Sequence, residues 1–484
     1  MKPDRARAIF CSLLLCSIAY PQPASKISVR KELDNTFSVA VNPKIHHDYG
    51  LSYPMTYQFS IPPHSTGLAA HRKFSVTQEW TRIPEKTSAD FFNGIEAVRF
   101  DHANHVAYLS VAFSNASDSV FLKIADQAGT NVAMAYAGMS RYYDNRDAAV
   151  TVTADDWHPS FDAYFLKALS IFRKYRLYVS TAIVTEWCDS TTWKHIQAQL
   201  DSGYVEAAAH GRNHIYAPYP DVAYEVTGAK EDIIKNLDLP ASFRNGNREY
   251  VYVWIAPYGN YDEQIESAVS RNQYLVSRLV NFGFGNFSKW NDRKKMYDPI
   301  GVVHEMGPLW GGVTDTTILN NDFDAVVAAG GVYHVMCHPH VIQNDWGKRY
   351  IWSHLEHISN RKNLWYVNLG HLYLYHLLQD VDSTPVTFVA DLGHDVPANY
   401  VLSQNYPNPF NPATTIQYQL PKAGRVCLNI IDVWGQLVAT LVDEYQSAGH
   451  YSVVWNATGY ASGLYFYQIY TGEFLLSRRM ILLH

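Results

Sequence analysis

The chain has 484 residues, 47% of them hydrophobic and 17% charged, enough for two to four domains with substantial cores. Its formal net charge of −6 leaves no nucleic-acid footprint. Of its cysteines, Cys11 and Cys16 lie in an amino-terminal leader, and the scattered Cys188, Cys337 and Cys427 exclude a disulfide framework and a cysteine zinc site. Any metal therefore falls to histidine and carboxylate.

Lys2, Arg5 and Arg7 precede a short apolar run from Ala8 to Ala19, and Ser17, Ile18 and Ala19 offer small residues for cleavage. Residues 1–19 read as a secretory signal peptide, and no later stretch is long and apolar enough to span a bilayer. Residues 26–145 read as a β-rich accessory domain, a sandwich, because the runs 37–41, 55–61, 106–113 and 120–124 alternate or run apolar between turn residues.

The rhythm changes over 146–380. Strands at 148–154, 177–184, 205–209, 250–256, 274–280, 331–337 and 364–368 alternate with helices over 161–172, 192–201, from Asp262, 352–361 and 371–379. Strands alternating with helices imply parallel β/α units, and about seven of them imply a barrel whose chemistry collects at the carboxyl ends of the strands. Residues 381–399 read as a linker. Residues 400–484 return to strand alternation, as in Ile416/Tyr418/Leu420 and Val426/Leu428/Ile430, and predict a small immunoglobulin-like sandwich. The fold class is thus multidomain, with a central distorted β/α barrel flanked by two β domains.

The polar candidates each follow a predicted strand. Asp155 and Asp156 close 148–154; alone they would read as a helix cap. His210 and His214 follow 205–209, Pro257 and Tyr258 follow 250–256, and His338 and His340 follow 331–337. Four strand ends turning polar groups to one face point to an active site. The His210/His214 spacing places both imidazoles on one side of a helical turn, and two histidines with one aspartate make a hydrolytic metal set with an open position.

Thr153 to Asp156, His210 to His214, Ala256 to Tyr258 and His338 occur in the order and spacing of the polysaccharide deacetylases, carbohydrate esterase family four, and residues 148–380 resemble that family. The resemblance implies a distorted β/α barrel that removes N- or O-acetyl groups from a polysaccharide with one divalent metal, zinc foremost. It implies Asp156, His210 and His214 as metal ligands, Asp155 as general base, His338 as general acid, and Pro257 and Tyr258 at the oxyanion. One departure stands out. The family usually carries an arginine two residues before the motif proline, and this chain has Ile255. Arg244 or Arg248 could reach in to charge Asp155; without a partner its pKa should drift up. The family's aspartate–tryptophan element has no clear counterpart beyond Trp290, Asn291 and Asp292. His46, His47, His304, His334 and His340 read as surface or packed histidines, with His340 notable for its place beside His338.

Residues 402–416, rich in Asn and Pro, resemble the start of a type IX secretion sorting domain, with 433–436 and 461–467 where its turn and late strands would fall. This implies passage through Sec and then the type IX machinery, ending secreted or at the cell surface. The sequence therefore reads as a secreted metal-dependent deacetylase, the alternative being an idle glycan-binding or adhesive scaffold.

Overall fold

The computed structural model describes residues 26–379 and 400–483 apart from 88–89, 91–92, 115, 283–284, 310–311, 406, 423, 447–448 and 472–473. The predicted signal peptide 1–19 and linker 381–399 lie outside the described residues. The chain divides into two compact units, before and after residues 386/387.

The first unit opens with two antiparallel sheets. One has five strands in the order Ile27–Lys31, Phe37–Val41, Ser119–Ala125, Ala69–Lys73 and Thr81–Arg82; the other has four, Ala97–Asp101, Val106–Val111, Met55–Ser60 and Ala135–Met139. Alternation puts Phe37, Val39, Val120, Leu122 and Phe59 inside, and the Phe37 and Phe59 rings meet edge to face at 5.0 Å. A short helix, Pro43–Tyr49, interrupts the strands where Asn42 caps it by accepting the Lys44 amide. These sheets share one continuous hydrophobic core with the α/β region that follows.

That region is built on nine strands, all in parallel pairing. Their order is Ile300–Val302, Val276–Phe282, Val253–Ile255, Val205–Ala209, Val179–Ile183, Ala148–Trp157, Val332–Cys337 and His304–Glu305, with Leu364–Tyr366 also paired to Ala148–Trp157. The two ends of this order, Ile300–Val302 and His304–Glu305, are separated only by Val303, whose amide donates to the His334 carbonyl. Helices connect the strands. Asp162–Lys174 buries Phe165, Leu169 and Phe172, as its spacing predicts, and stacks Phe165 on Trp157 at 4.8 Å. Asp189, Asp262 and Asp315 cap the helices that follow them. The Thr316–Ala328 helix is not anticipated by the sequence reading, because Asn320, Asn321, Asp322 and Asp324 crowd its apolar stripe down to Leu319 and Phe323.

At the end of the sheet away from the polar strand ends, Glu206 is buried under the helix Leu369–Leu377. Its Oε2 accepts from Ser180 Oγ at 2.5 Å and from the Gly370 amide at 3.0 Å, while a Cβ on residue 370 would fall 1.9 Å from its Oε1. Glycine is required there by close approach. Burial, only partly offset by Ser180 and Gly370, pushes the Glu206 pKa up to about 7. An unfolded glutamate titrates near its usual 4.5, so between that pH and 7 the folded state holds a proton that the unfolded state has lost. Stability should therefore fall as pH rises through this window, by about 3 kcal/mol in all. Glu206→Gln should remove that loss, which urea unfolding across pH 4.5 to 8 would read as a flattened profile. An unchanged profile would rule Glu206 out as its source.

The second unit has two antiparallel sheets. One holds Val401–Leu402, Ala413–Leu420 and Gly449–Asn456; the other Leu437–Gln446, Gly424–Ile431, Gly463–Tyr470 and Leu475–Leu482. The alternating residues Ile416, Tyr418, Leu420, Val426, Leu428 and Ile430 are its core. Asn405 is buried and ties the proline-rich opening down through Thr414 Oγ1 and the Pro407 carbonyl.

Candidate active site

The strand Ala148–Trp157 runs through both aspartates instead of stopping before them. Its pairing with Val179–Ile183 slips between Ala154 and Trp157, and Asp156 adopts a left-handed backbone with φ 76°. Such a bulge breaks the two-residue alternation and re-aims a side chain. It lets adjacent carboxylates serve one cavity, of about 400 Å3, which Asp155 and Asp156 line together with His210, His214, Tyr258, Glu305 and His338.

His210 and His214 converge on Asp156, but not from a helical turn as their spacing suggests. They lie on a loop bent by left-handed conformations at Gly211 (φ 76°) and His214 (φ 50°). His210 Nε2 stands 3.1 Å and His214 Nε2 3.0 Å from the same Asp156 oxygen, Oδ1. Their ligand atoms all lie within 4.8 Å of one another. His210 Nδ1 donates to the Ile255 carbonyl at 2.8 Å, which leaves the neutral ring's lone pair on Nε2, facing a carboxylate. Electron-pair donors aimed at one point are what a divalent cation requires, so this chain's residues fit one.

Asp155 and His338 flank the three. His338 Nε2 is 3.8 Å from Asp156 Oδ2, and His338 Nδ1 meets Glu305 Oε1 at 2.8 Å. Burial alone would lower the His338 pKa; Glu305, Asp155 and Asp156 outweigh it and hold the pKa above the ordinary histidine value. Asp155 is buried at the edge of the cavity, and its Oδ2 accepts from the guanidinium of Arg278 while Oδ1 has no hydrogen-bond partner. Burial raises this carboxyl, but Arg278, with His210 and His338, more than offsets that and keeps it below the usual carboxylate range. The upward drift expected from Ile255 does not occur.

Arg278 is the residue the sequence reading missed. It lies on Val276–Phe282, directly paired with Ile255, so the neighbouring strand supplies a guanidinium at the same level. Arg244 and Arg248 do not reach in: Arg244 pairs with Asp238 and Glu249, and Arg248 with His47 and Gln273. The available signal was an arginine inside the apolar run Tyr274 to Val280. Behind it, His334 accepts or donates at Thr153 Oγ1 (3.2 Å), and burial followed by Arg278 takes its pKa down to about 3, so it stays neutral. Glu305 had no comparable signal.

The rim is aromatic. Tyr258, in left-handed conformation (φ 56°), stands 4.5 Å from the His214 ring and stacks on Tyr216 at 3.7 Å; Pro257 is buried beside it. His340 lies flat on Phe161 at 3.9 Å and lines the cavity, while burial lowers its pKa to about 4. Trp290 and Asp292 bond to each other, and the Trp290 ring packs on Tyr49 and Tyr297 rather than lining the cavity. Cys188, Cys337 and Cys427 are free thiols. No helix among the described residues is long and apolar enough to cross a membrane.

Residues 404–483 match the family described as secretion system C-terminal sorting domain. No curated protein matches the chain by sequence. Among solved structures, a putative polysaccharide deacetylase from Mycobacterium smegmatis is 13% identical, with a TM-score of 0.38 over 51% of this chain and 96% of its own. PuuE allantoinase is 12% identical, with a TM-score of 0.38 over 49% and 93%. A CE4-family pseudoenzyme from Bacillus anthracis is 13% identical, with a TM-score of 0.30 over 49% and 68%.

Proposed function

We propose that the first unit is a metal-dependent deacetylase that hydrolyses N- or O-acetyl groups of a polysaccharide, and that the second unit sends it out through the type IX system to the cell surface or medium. The observation that carries the reading is the Asp155 carboxylate, ionised by a buried arginine and left with a free oxygen beside Asp156, His210 and His214. In this reading the nine strands form a distorted barrel closed through 300–305, the second unit is immunoglobulin-like, and signal peptide 1–19 directs the first, Sec-dependent, step.

Asp156, His210 and His214 would hold one divalent cation, zinc foremost. When bound there, such an ion polarises an acyl carbonyl and acidifies water. Asp155 takes a proton at Oδ1, and Arg278 keeps it ionised for that task. His338, with Nδ1 fixed on Glu305, directs Nε2 into the cavity and gives its proton to the departing amine or alcohol. The turn at Pro257 and Tyr258 borders the oxyanion. Tyr216 and Tyr258 offer a flat apolar surface suited to a sugar ring. The idle-scaffold alternative drew on Ile255 and on the large β-rich domain; Arg278 answers the first of these and leaves the second standing.

The full chain should carry close to one zinc, and His210→Ala should lose most of it, as read by elemental analysis after dialysis. Acetate release from acetylated glycans should fall with it. A chain that stays metal-free when zinc is supplied would end this reading.

A further inference from the structure

Away from the cavity, the five-stranded sheet presents a face with a charge pattern that the proposed hydrolysis does not use. Val120, Leu122 and Ile124 point inward and are 0% exposed, so Phe121 and Lys123 point outward. Lys73 lies opposite Phe121, His71 opposite Lys123, and Arg82 opposite His71. Trp80 continues the same register one position before Thr81, beside Lys73. Two rows result: Phe121, Lys73 and Trp80, and next to them Lys123, His71 and Arg82.

The ammonium groups of Lys73 and Lys123 lie 4.9 and 4.8 Å from the Trp80 ring centroid. Among the described residues no carboxylate pairs with Lys73, Lys123 or Arg82: Glu96 is taken by Arg72, and Glu32, at the far side of Phe121, accepts from Ser38. Burial, then Lys123 and Arg82, lower the His71 pKa, a sign of how closely the cations crowd it. Like charges gathered across adjacent strands repel, and here they do so on a chain of net charge −6. The three strands span about 10 Å, with an aromatic ring at each end of one row.

We propose that this face binds an anionic polysaccharide whose pyranose rings carry carboxylates. Lys73 and Lys123 swing from the aromatic rings they now cover to pair, with Arg82, with the carboxylates, and Trp80 and Phe121 so uncovered receive the apolar faces of the rings. Three fixed cations on an acidic chain fall short of the phosphate contacts that hold nucleic acid. The site is separate from the cavity, so its failure would leave the deacetylase reading untouched.

Native electrophoresis of the full chain through gels containing polygalacturonate tests it. Retardation should be strong at low salt, absent with a neutral glucan, and weakened about tenfold in apparent affinity by Lys73→Gln with Lys123→Gln, as expected for screened charge contacts. Trp80→Ala, which keeps every charge, should weaken it as well. No retardation, or equal retardation of the double variant, would overturn the proposal. So would equal retardation by DNA that Trp80→Ala leaves unchanged, which would identify an unselective polyanion surface.

Discussion

Asp155→Asn is expected to reduce acetate release by about a thousandfold, the range set by loss of a positioned general base, while zinc content stays near that of the parent chain. Asp155 is not among the three converging ligand atoms. Its role in the proposed reaction is the proton it takes at Oδ1, and an amide oxygen of the same shape is far less basic. The substituted amide would still accept a hydrogen bond from Arg278, but the guanidinium would then be buried without a counterion. Breaking a buried pair costs about 3–5 kcal/mol, so unfolding must be followed in parallel. A variant that is folded and metal-loaded but inactive separates catalysis from binding. Retention of more than a tenth of the parent rate would remove Asp155 from the role of base and reopen the scaffold reading.

The strands and helices with clean periodicity were legible in the sequence, Val205–Ala209 and Asp162–Lys174 among them, because burial on one face writes a repeat into the residues. The site's membership was legible in part, since polar groups at strand ends stand out against apolar runs. Its geometry was not. A bulge that turns Asp156 and a loop that turns His214 are set by pairing register and backbone conformation, and local spacing encodes neither. Helix-like spacing at His210 and His214 therefore suggested a turn where the chain forms a loop. The partner of Asp155 was hidden for a different reason. Along the chain the arginines before Ile255 are Arg244 and Arg248, whereas parallel strands bring together residues far apart in sequence, and Arg278 is 23 positions away by number yet adjacent across the sheet. Glu305 is reached the same way, through pairing of His304–Glu305 with Val332–Cys337.

That adjacency makes the arginine's position exchangeable. Arg278→Met keeps an unbranched apolar stem and removes the guanidinium, leaving the Asp155 carboxylate buried with no cationic strand neighbour. Desolvation then favours the neutral acid, and deacetylation near neutral pH should fall by about a hundredfold, the lower end of the range for loss of a positioned general base. The chain should also lose about 3–5 kcal/mol of stability, readable as a shift of the urea midpoint. Loss of rate alone could come from a disturbed core, so the decisive variant is the double one, Ile255→Arg with Arg278→Met. Directly paired positions on neighbouring strands turn their side chains to the same face, and the Ile255 carbonyl that holds His210 is backbone, untouched by the exchange. The double variant should recover at least about tenfold of the lost rate and part of the lost stability, since it restores a buried opposite charge. Recovery of stability without rate would make Arg278 a structural counterion only. Full activity in Arg278→Met alone would mean that Asp155 is ionised without it, by the histidines and whatever cation they hold.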